Sequence, residues 1–331
     1  ALSHASAQED ESQSEFSILL RLQPELVSVS GSAAEARGTD GVTVTDAWAS
    51  GSKNAANFGA LFINASQSIG SSLSVFSKLG LNVDMEGLKD GDAKNRDLFV
   101  GLASPIGRVY AGRISPAYKD AGIGWDPLNA TFMQSRGNLG RSGGAFGHGG
   151  YLDRSIGYQH QFGPARFSAT VSLDEKVAGD ITGNNDHAIS AAVILPTGAF
   201  SFLAAYVDGS EYEGGPSDRD ALKLGIRYSN GPWAAALMHE DRGRGLENGD
   251  ILYATTSYRH EQWQFSANLG LFNDNQNVND GTYFALAARY HLHNRVSAHA
   301  GIRQIDRDLT GKETIAGLGL RFIFNTGNLI R

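Results

Sequence analysis

Cysteine is absent from the 331 residues of the chain, which excludes a disulfide scaffold, a thiolate metal site and thiol catalysis. Proline occurs only 8 times, whereas glycine occurs 41 times. Abundant glycine without proline excludes collagen and disordered Pro/Gly-rich sequence, and it is typical of many short strands joined by turns. The sequence also lacks any run of about 18 apolar residues that could form a membrane helix. A membrane β-barrel stays open, because its lipid-facing strands alternate between apolar and polar residues.

An excess of positive charge is also missing, and the formal net charge of −7 argues against a nucleic acid as a partner. Near the N-terminus, Ala5-Ser6-Ala7 before Gln8 has the small-x-small form of a signal-peptidase site. This form favours export, with residues 1–7 as the tail of a signal peptide; an ordinary run of small residues is the alternative. We predict an N-terminal segment at 1–14, a folded domain at 15–324 and a C-terminal tail at 325–331.

Apolar and polar residues alternate along most of the chain, as in a β-strand with one apolar face. In the segment at 166–173, Phe167, Ala169 and Val171 share one face, and the small polar residues between them share the other. The same pattern predicts sixteen strands, at 15–29, 56–65, 71–84, 94–103, 106–113, 153–162, 165–175, 186–195, 198–209, 219–229, 232–242, 249–260, 263–273, 280–292, 295–307 and 310–324. The fold class is therefore all-β.

The connections between these strands alternate in length. Short turns, such as Gly163-Pro164, are followed by long polar loops, such as 174–186. Short turns at one end and long loops at the other are typical of an outer-membrane barrel, with the short turns on the periplasmic side. Sixteen antiparallel strands of about 11 residues, with their loops and turns, need roughly 300 residues, which the chain supplies.

Charged residues within the strands indicate which face meets water. They lie opposite the large apolar residues and are Lys78, Lys223, Arg227, Arg289, Arg303 and Arg321. In a membrane barrel these side chains line a wet lumen, while Leu320 and Phe322 face lipid on either side of Arg321. Aromatic residues at strand ends suit interfacial girdles and are Tyr228, Trp233, Tyr258, Trp263, Tyr283 and Tyr290. The alternative is a secreted β-sandwich or adhesin, in which the apolar faces and these aromatics form a core.

One block of the sequence carries a more specific signal. Residues 95–102 read NRDLFVGL, residues 106–113 read IGRVYAGR, and residues 116–120 read PAYKD. This block resembles Gram-negative general porins, in which a strand ending in Phe-x-Gly-Leu, a tight turn and a strand ending in Gly-Arg precede the long third loop. The segments at 70–76, 153–159 and 317–322 are similar to other porin strands. The resemblance covers about residues 15–324.

The resemblance implies a water-filled diffusion channel in the outer membrane of a Gram-negative bacterium. Its partners would be two further copies in a homotrimer, outer-membrane lipid and lipopolysaccharide, and small hydrophilic solutes and ions. The third loop, at 115–152, would fold into the lumen and narrow it. Arg113 would be the wall arginine facing this loop, with Arg96 as a weaker match. Because Arg113 is in register with outward residues, its lumen orientation requires a local irregularity, which we place at Gly112.

Charges in the predicted third loop depart from the porin pattern, which is usually rich in acids. Two acids, Asp120 and Asp126, stand against three bases, Lys119, Arg136 and Arg141. Together with the basic lumen face, this predicts a mild preference for anions, because charges at a constriction act more strongly than screened charges at the mouth. A substrate-selective channel of the same fold is the alternative.

Motifs of catalysis and metal binding are missing from the sequence. His291 and His293 share a strand face, but no third ligand of suitable spacing is visible. The polar run at 273–280 lacks the central glycine and the terminal glutamate of a calcium loop. The glycine runs lack Gly-Lys-Ser/Thr, and neither they nor the Gly-x-Ser-x-Gly letters at 140–144 have the strand-to-helix context of a phosphate loop or a nucleophile elbow. We predict no cofactor, no metal and no enzymatic activity.

Overall fold

The structure is a computed structural model that describes residues 14–45, 59–83, 95–135, 151–173, 187–209, 220–242, 249–274 and 279–327. Two short α-helices, α1 (Ser32–Arg37) and α2 (Ala117–Asp120), and a 3-10 helix (Ile123–Trp125) accompany the strands. The strand segments are β1 (Ser14–Leu22), β2 (Glu25–Ser30), β3 (Gly41–Thr45), β4 (Ala60–Ser68), β5 (Ser74–Asn82), β6 (Asn95–Ser104), β7 (Gly107–Ile114), β8 (Leu152–Phe162), β9 (Ala165–Leu173), β10 (His187–Thr197), β11 (Phe200–Asp208), β12 (Asp220–Asn230), β13 (Trp233–Arg242), β14 (Gly249–His260), β15 (Trp263–Asp274), β16 (Gly281–His293), β17 (Val296–Arg307) and β18 (Gly311–Asn325).

These segments form sixteen barrel strands, because two pairs of segments each belong to one strand. Both β1 and β2 pair with β18 in a single register, in which Leu22 faces Phe322 and Glu25 faces Gly319. The break between them falls at Pro24, which has no backbone N–H to donate to a neighbouring strand. On the other side, β4 pairs with β1 and β3 pairs with β2. The predicted strand at 15–29 is thus confirmed as one barrel strand, whereas β3 and α1 were not predicted.

The sheet is antiparallel throughout and closes on itself, because the last strand, β18, pairs with the first, β1 and β2. Each of the sixteen barrel strands thus has a paired neighbour on both sides, which removes the edges of an open sheet. The predicted closed barrel of sixteen strands is confirmed. The strand β7 ends at Ile114, where the predicted third loop starts, and β8 begins at Leu152, where that loop stops. Residues 1–13 and 328–331 of the predicted terminal segments lie outside the described residues, and this division stays a prediction.

The outer surface of the barrel is apolar and the inner surface is polar. At the middle of β15, Leu269 is 62% exposed, whereas its neighbour Asn268 is fully buried inside the barrel. Leu320 and Phe322 are likewise exposed on the outside, as their alternation predicts, and Arg321 points inward. Such an apolar exterior is anomalous in water but is what a lipid-embedded barrel requires. The β-sandwich alternative, which would bury this face, is therefore excluded.

Aromatic pairs gather next to the short turns at one end of the barrel. Trp233 and Tyr258 have ring centroids 4.5 Å apart, and those of Trp263 and Tyr290 are 4.8 Å apart. Amphipathic rings at this level suit the boundary between lipid and headgroups. The prediction for Tyr283 was wrong: its side chain is buried inside the barrel. The reason is its parity, since Tyr283 shares a strand face with the inward Arg289, not with Tyr290.

The main apolar core lies inside the barrel, between the third loop and the inner wall. Loop side chains including Tyr118, Trp125 and Phe132 pack against wall residues such as Leu203 and Met238. None of the helices among the described residues is long and apolar enough to span a membrane. The lumen is therefore partly filled by the chain's own loop rather than being an open cylinder.

Replacing Leu269 with arginine tests the outer face. The charged side chain would sit at the middle of a lipid-facing strand, so we expect the free energy of unfolding in vesicles to fall by about 2–4 kcal/mol. The control is Leu292→Arg beside a short turn, where the cost should be about 0–1 kcal/mol because the headgroup region is near. Equal losses in urea titrations of the two variants would contradict the assigned membrane position.

Candidate functional site

A loop segment at 115–135, here called the inner loop, runs along the inside of the barrel wall. Early in the loop, the backbone N–H of Tyr118 donates to the Ser190 hydroxyl of β10 at 2.7 Å. Further on, the Thr255 hydroxyl of β14 donates to the carbonyl of Trp125 at 2.9 Å. Near its described end, the Tyr283 hydroxyl of β16 donates to the carbonyl of Met133. Residues later in the loop thus contact strands later in the barrel, from β10 through β14 to β16. The loop follows the wall instead of crossing the lumen freely.

The start of the inner loop is fixed by a buried ionic cluster. The ammonium group of Lys223 donates to the Tyr118 carbonyl at 3.1 Å and lies 3.4 Å from a Glu240 oxygen. Glu240 also accepts a bond from the Tyr118 hydroxyl at 3.0 Å. Burial, followed by the nearby Glu240 charge, raises the pKa of Tyr118 well above its usual value, so this hydroxyl remains a donor. Lys223 is fully buried, and it anchors the loop where the sequence suggested a lumen-lining charge.

The middle of the inner loop is organised around the carboxylate of Asp126. One oxygen accepts bonds from the Leu128 N–H at 2.8 Å and from the Asn268 amide of β15 at 2.7 Å. The other accepts the N–H and the hydroxyl of Ser135, at 2.7 and 2.8 Å. Both oxygens are therefore saturated by partners within 3 Å. This predicted pore-lining acid closes a loop turn and ties it to the wall.

The last described part of the inner loop docks where the first and last strands meet. Glu25 of β2 accepts a bond from the Phe132 N–H at 3.0 Å. Arg321 of β18 donates to the Ala130 carbonyl at 2.7 Å, and Gln23 donates to the same carbonyl. Arg321 also bonds to Gln23, so the loop rests on side chains from both ends of the barrel sequence. The sequence placed Arg321 on the lumen face but did not reveal this docking role.

A first cavity, of about 400 Å³, lies between the start of the inner loop and the wall formed by β1 and β4–β8. We call it the constriction cavity; its charged lining residues are Glu15, Lys78, Asp97, Arg108 and Asp120. Lys78 is paired with Asp97 at 2.7 Å, and Asp97 in turn accepts a bond from the Ser115 N–H at 3.0 Å. Asp120 accepts a bond from the Ser115 hydroxyl at 2.6 Å. This cavity mixes acids and bases.

A second cavity, of about 750 Å³, lies next to the inner loop at the short-turn end of the barrel, beside Gly231-Pro232. We call it the vestibule. Four arginines line it and are called the arginine cluster: Arg227, Arg259, Arg289 and Arg321. Its acids are Asp126, whose oxygens are saturated, and Glu261. The sequence identified three of these arginines from alternation; Arg259 shares the same strand parity as the inward Thr255 and Ser257 and could have been found in the same way.

The two wall arginines carried over from the resemblance lie near the long-loop end. Gly112 has a positive φ of 143°, and the pairing of β7 with β8 slips by one residue beside it. A side chain there would collide with the Leu98 carbonyl, so the predicted irregularity requires a glycine at this position. Arg113 donates to both oxygens of Asp153 at 2.7 Å, and Arg96 donates to the Tyr151 hydroxyl at 2.9 Å. Neither arginine lines the two cavities, and their roles at the constriction stay predictions.

Of the remaining predicted residues, Arg303 has a structural role, and Arg136 and Arg141 lie outside the described residues. Arg303 is fully buried and donates to Glu313 at 2.7 Å, and Arg37 of α1 bonds to the same carboxylate. This ion triad ties α1 to the wall. Arg136 and Arg141, with the glycine-rich stretch at 143–150, lie outside the described residues. Among the residues that the structure describes, no three metal-ligating side chains gather at one place.

Comparison with known proteins finds barrels of the same architecture. Residues 1–310 match the family model described as Gram-negative porin. The anion-selective porin from Comamonas acidovorans is 16% identical, with 94% of this chain and all of that chain covered and a TM-score of 0.78. OmpF of Salmonella typhi, in complex with daunomycin, is 12% identical, with coverage of 95% and 98% and a TM-score of 0.71. OmpT of Vibrio cholerae, in its trimer form, is 13% identical, with coverage of 94% and 100% and a TM-score of 0.65. A search of curated protein sequences gives no match.

Replacing Asp126 with alanine tests the anchoring of the inner loop. The change leaves several buried donors without their acceptor, at about 1–3 kcal/mol for each unpaired group. We expect hydrogen exchange in the loop segment at 117–135 to accelerate by about tenfold or more in detergent micelles. Asp120→Ala is the matched control, since it removes the same charge from an exposed residue with one hydrogen bond. Similar exchange rates in both variants would show that Asp126 does not hold the loop.

Proposed function

The chain belongs to the Gram-negative porin family, and on this basis we propose how its lumen selects among solutes. As a porin it lies in the outer membrane and forms a water-filled channel for the passive diffusion of small hydrophilic solutes and ions. We propose that this channel has a mild preference for anions. The single observation that supports it is the arginine cluster of the vestibule, which lines the cavity at the short-turn end of the barrel.

The balance of charge inside the barrel supports this preference. Three wall carboxylates are bound to bases: Asp97 to Lys78, Glu240 to Lys223 and Glu313 to Arg303. These pairs contribute little net field. The arginine cluster has no salt bridge to a carboxylate within the described ranges of the chain, so its positive charge acts on the lumen. Ions passing within a few ångströms feel this charge strongly, because a narrow protein-lined space is less polar than bulk water.

Acids elsewhere in the chain oppose this effect only weakly. The formal charge of −7 includes Glu9, Asp10 and Glu11, which belong to the predicted N-terminal segment. Charges at the mouth of a channel are screened over about 8 Å at physiological salt. The local field of the lumen should therefore decide selectivity. The structurally similar protein from Comamonas acidovorans is described as an anion-selective porin, which is in line with this proposal.

We further infer that the protein works as a homotrimer embedded in outer-membrane lipid and lipopolysaccharide. The exposed apolar belt around Leu269 needs lipid or another barrel against it. A structurally similar outer-membrane protein of Vibrio cholerae is described in a trimer form. Diffusion through the channel explains the polar, charged interior of the barrel without any catalytic step. We therefore infer that the protein is not an enzyme.

Ion selectivity can be measured as the reversal potential across a planar bilayer under a KCl gradient. We expect the wild type to favour chloride mildly. The double variant with Arg227→Gln and Arg289→Gln should shift the reversal potential toward potassium selectivity, because two lumen charges are lost. Arg113→Ala should shift it less, since Asp153 pairs with this arginine. A wild-type channel that clearly favours potassium would refute the anion preference.

Assembly can be tested by extraction and electrophoresis. We expect the protein to require detergent for extraction and to migrate in SDS as an oligomer about three times the 35.3 kDa monomer until it is heated. Cross-linking in outer-membrane vesicles provides an independent count of subunits. Extraction without detergent would contradict the membrane position, and a monomer in both assays would contradict the trimer.

A further inference from the structure

We propose that the vestibule is a binding site for small multivalent oxyanions, with phosphate-bearing solutes as its ligand class. This inference rests on the proposed channel function but goes beyond a general preference for anions. A diffuse positive field attracts all anions in proportion to charge, whereas a site holds a particular kind of anion in a saturable way. Three features of the arginine cluster indicate a site: its spacing, the availability of its hydrogen-bond donors and its position beside the inner loop.

The spacing of the arginine cluster follows from the barrel. Its members come from β12, β14, β16 and β18, which are second neighbours and all run toward the short-turn end. Adjacent strands lie about 4.8 Å apart, so the backbones that carry successive arginines are about 10 Å apart. The wall is concave, and all four side chains line the same cavity of about 750 Å³. The cluster is therefore an arc of guanidinium groups around one space, not four isolated charges.

Arg321 already donates to Gln23 and to the Asn129 and Ala130 carbonyls, but the other members of the cluster keep donor groups available to a ligand. Within the described part of the chain, no carboxylate forms a salt bridge with any of the four arginines. The Nε of Arg289 is buried and has no hydrogen-bond partner among the described residues. Among the residues that the structure describes, the Arg259 guanidinium makes a single long bond of 3.4 Å, to Gln264. Arg303 and Lys223 differ, because each is fully buried and paired with a glutamate.

The two acids of the vestibule do not neutralise the cluster. Asp126 already accepts four hydrogen bonds, and no salt bridge joins Glu261 to the cluster within the described residues. Four positive charges thus face two negative ones across a cavity bounded by protein. A solute carrying oxygen acceptors and negative charge would offset this excess of positive charge and accept hydrogen bonds from the guanidinium groups that line the cavity.

The arc favours extended anions with several charges over a single small anion. Guanidinium groups bind phosphate oxygens through two parallel hydrogen bonds, a geometry that chloride cannot use. Since successive arginines start about 10 Å apart, one orthophosphate reaches one or two of them, whereas a di- or triphosphate chain reaches more. The affinity of the vestibule should therefore rise with the number of linked phosphates at a fixed ionic strength.

The test is block of the chloride current in planar bilayers by orthophosphate, pyrophosphate and tripolyphosphate, at constant ionic strength. We expect saturable block, with a half-blocking concentration that falls about tenfold or more from orthophosphate to tripolyphosphate. Block should be stronger from the short-turn side, where the vestibule opens. In the double variant with Arg227→Gln and Arg259→Gln, the half-blocking concentration of tripolyphosphate should rise about tenfold or more. Neither of these two side chains bonds to the inner loop in the described residues, so the barrel should still fold.

Arg108→Gln serves as the matched control for Arg259→Gln, because it removes one arginine from the constriction cavity instead of the vestibule. We expect the block by tripolyphosphate to weaken in Arg259→Gln and to change little in Arg108→Gln. Equal effects of the two changes, or block that ignores the number of phosphates, would overturn the site. A chloride-selective reversal potential without saturable block would overturn the site alone. A potassium-selective reversal potential would overturn the proposed anion preference.

Discussion

The need to pair every backbone N–H and C=O within the membrane governs this structure. Lipid offers no hydrogen bonds, so a sheet can span it only when its edges are joined. Here the joint is made between β18 and the interrupted first strand, where Leu22 and Glu25 keep one register across Pro24. The proline removes one donor at a place where the strand is held on both sides. Closure thus tolerates a local defect and still leaves the barrel without an edge.

Because the apolar surface faces outward, the protein has its packed core in an unusual place. The inner loop supplies Tyr118, Trp125 and Phe132, and these side chains pack against the inside of the wall. Hydrogen bonds to Asp126 and Glu25 fix the loop at its middle and near its end. Loops of this kind are usually the mobile part of a fold. In this barrel the inner loop carries the core, so packing and hydrogen bonds fix its path along the wall.

Most of the barrel could be predicted from the sequence, because lipid on one side and water on the other impose a period of two on every strand. The same reasoning failed for Tyr283, where residue type was given more weight than parity. It could not tell that Lys223 anchors the inner loop while Arg227, four residues along the same face, lines the vestibule. That difference depends on where a distant loop lies, and contacts over about a hundred residues leave no local pattern.

The docking of the inner loop on the joint between the first and last strands has a consequence for assembly. The carbonyl of Ala130 is held by Gln23 and Arg321, which are brought together only when β18 pairs with the start of the chain. A growing barrel that still lacks its last strand cannot complete this contact. This last anchor of the inner loop is therefore coupled to the closure of the barrel. An open barrel would hold the inner loop only at its start and middle, and the joining of the first and last strands adds the third point of attachment.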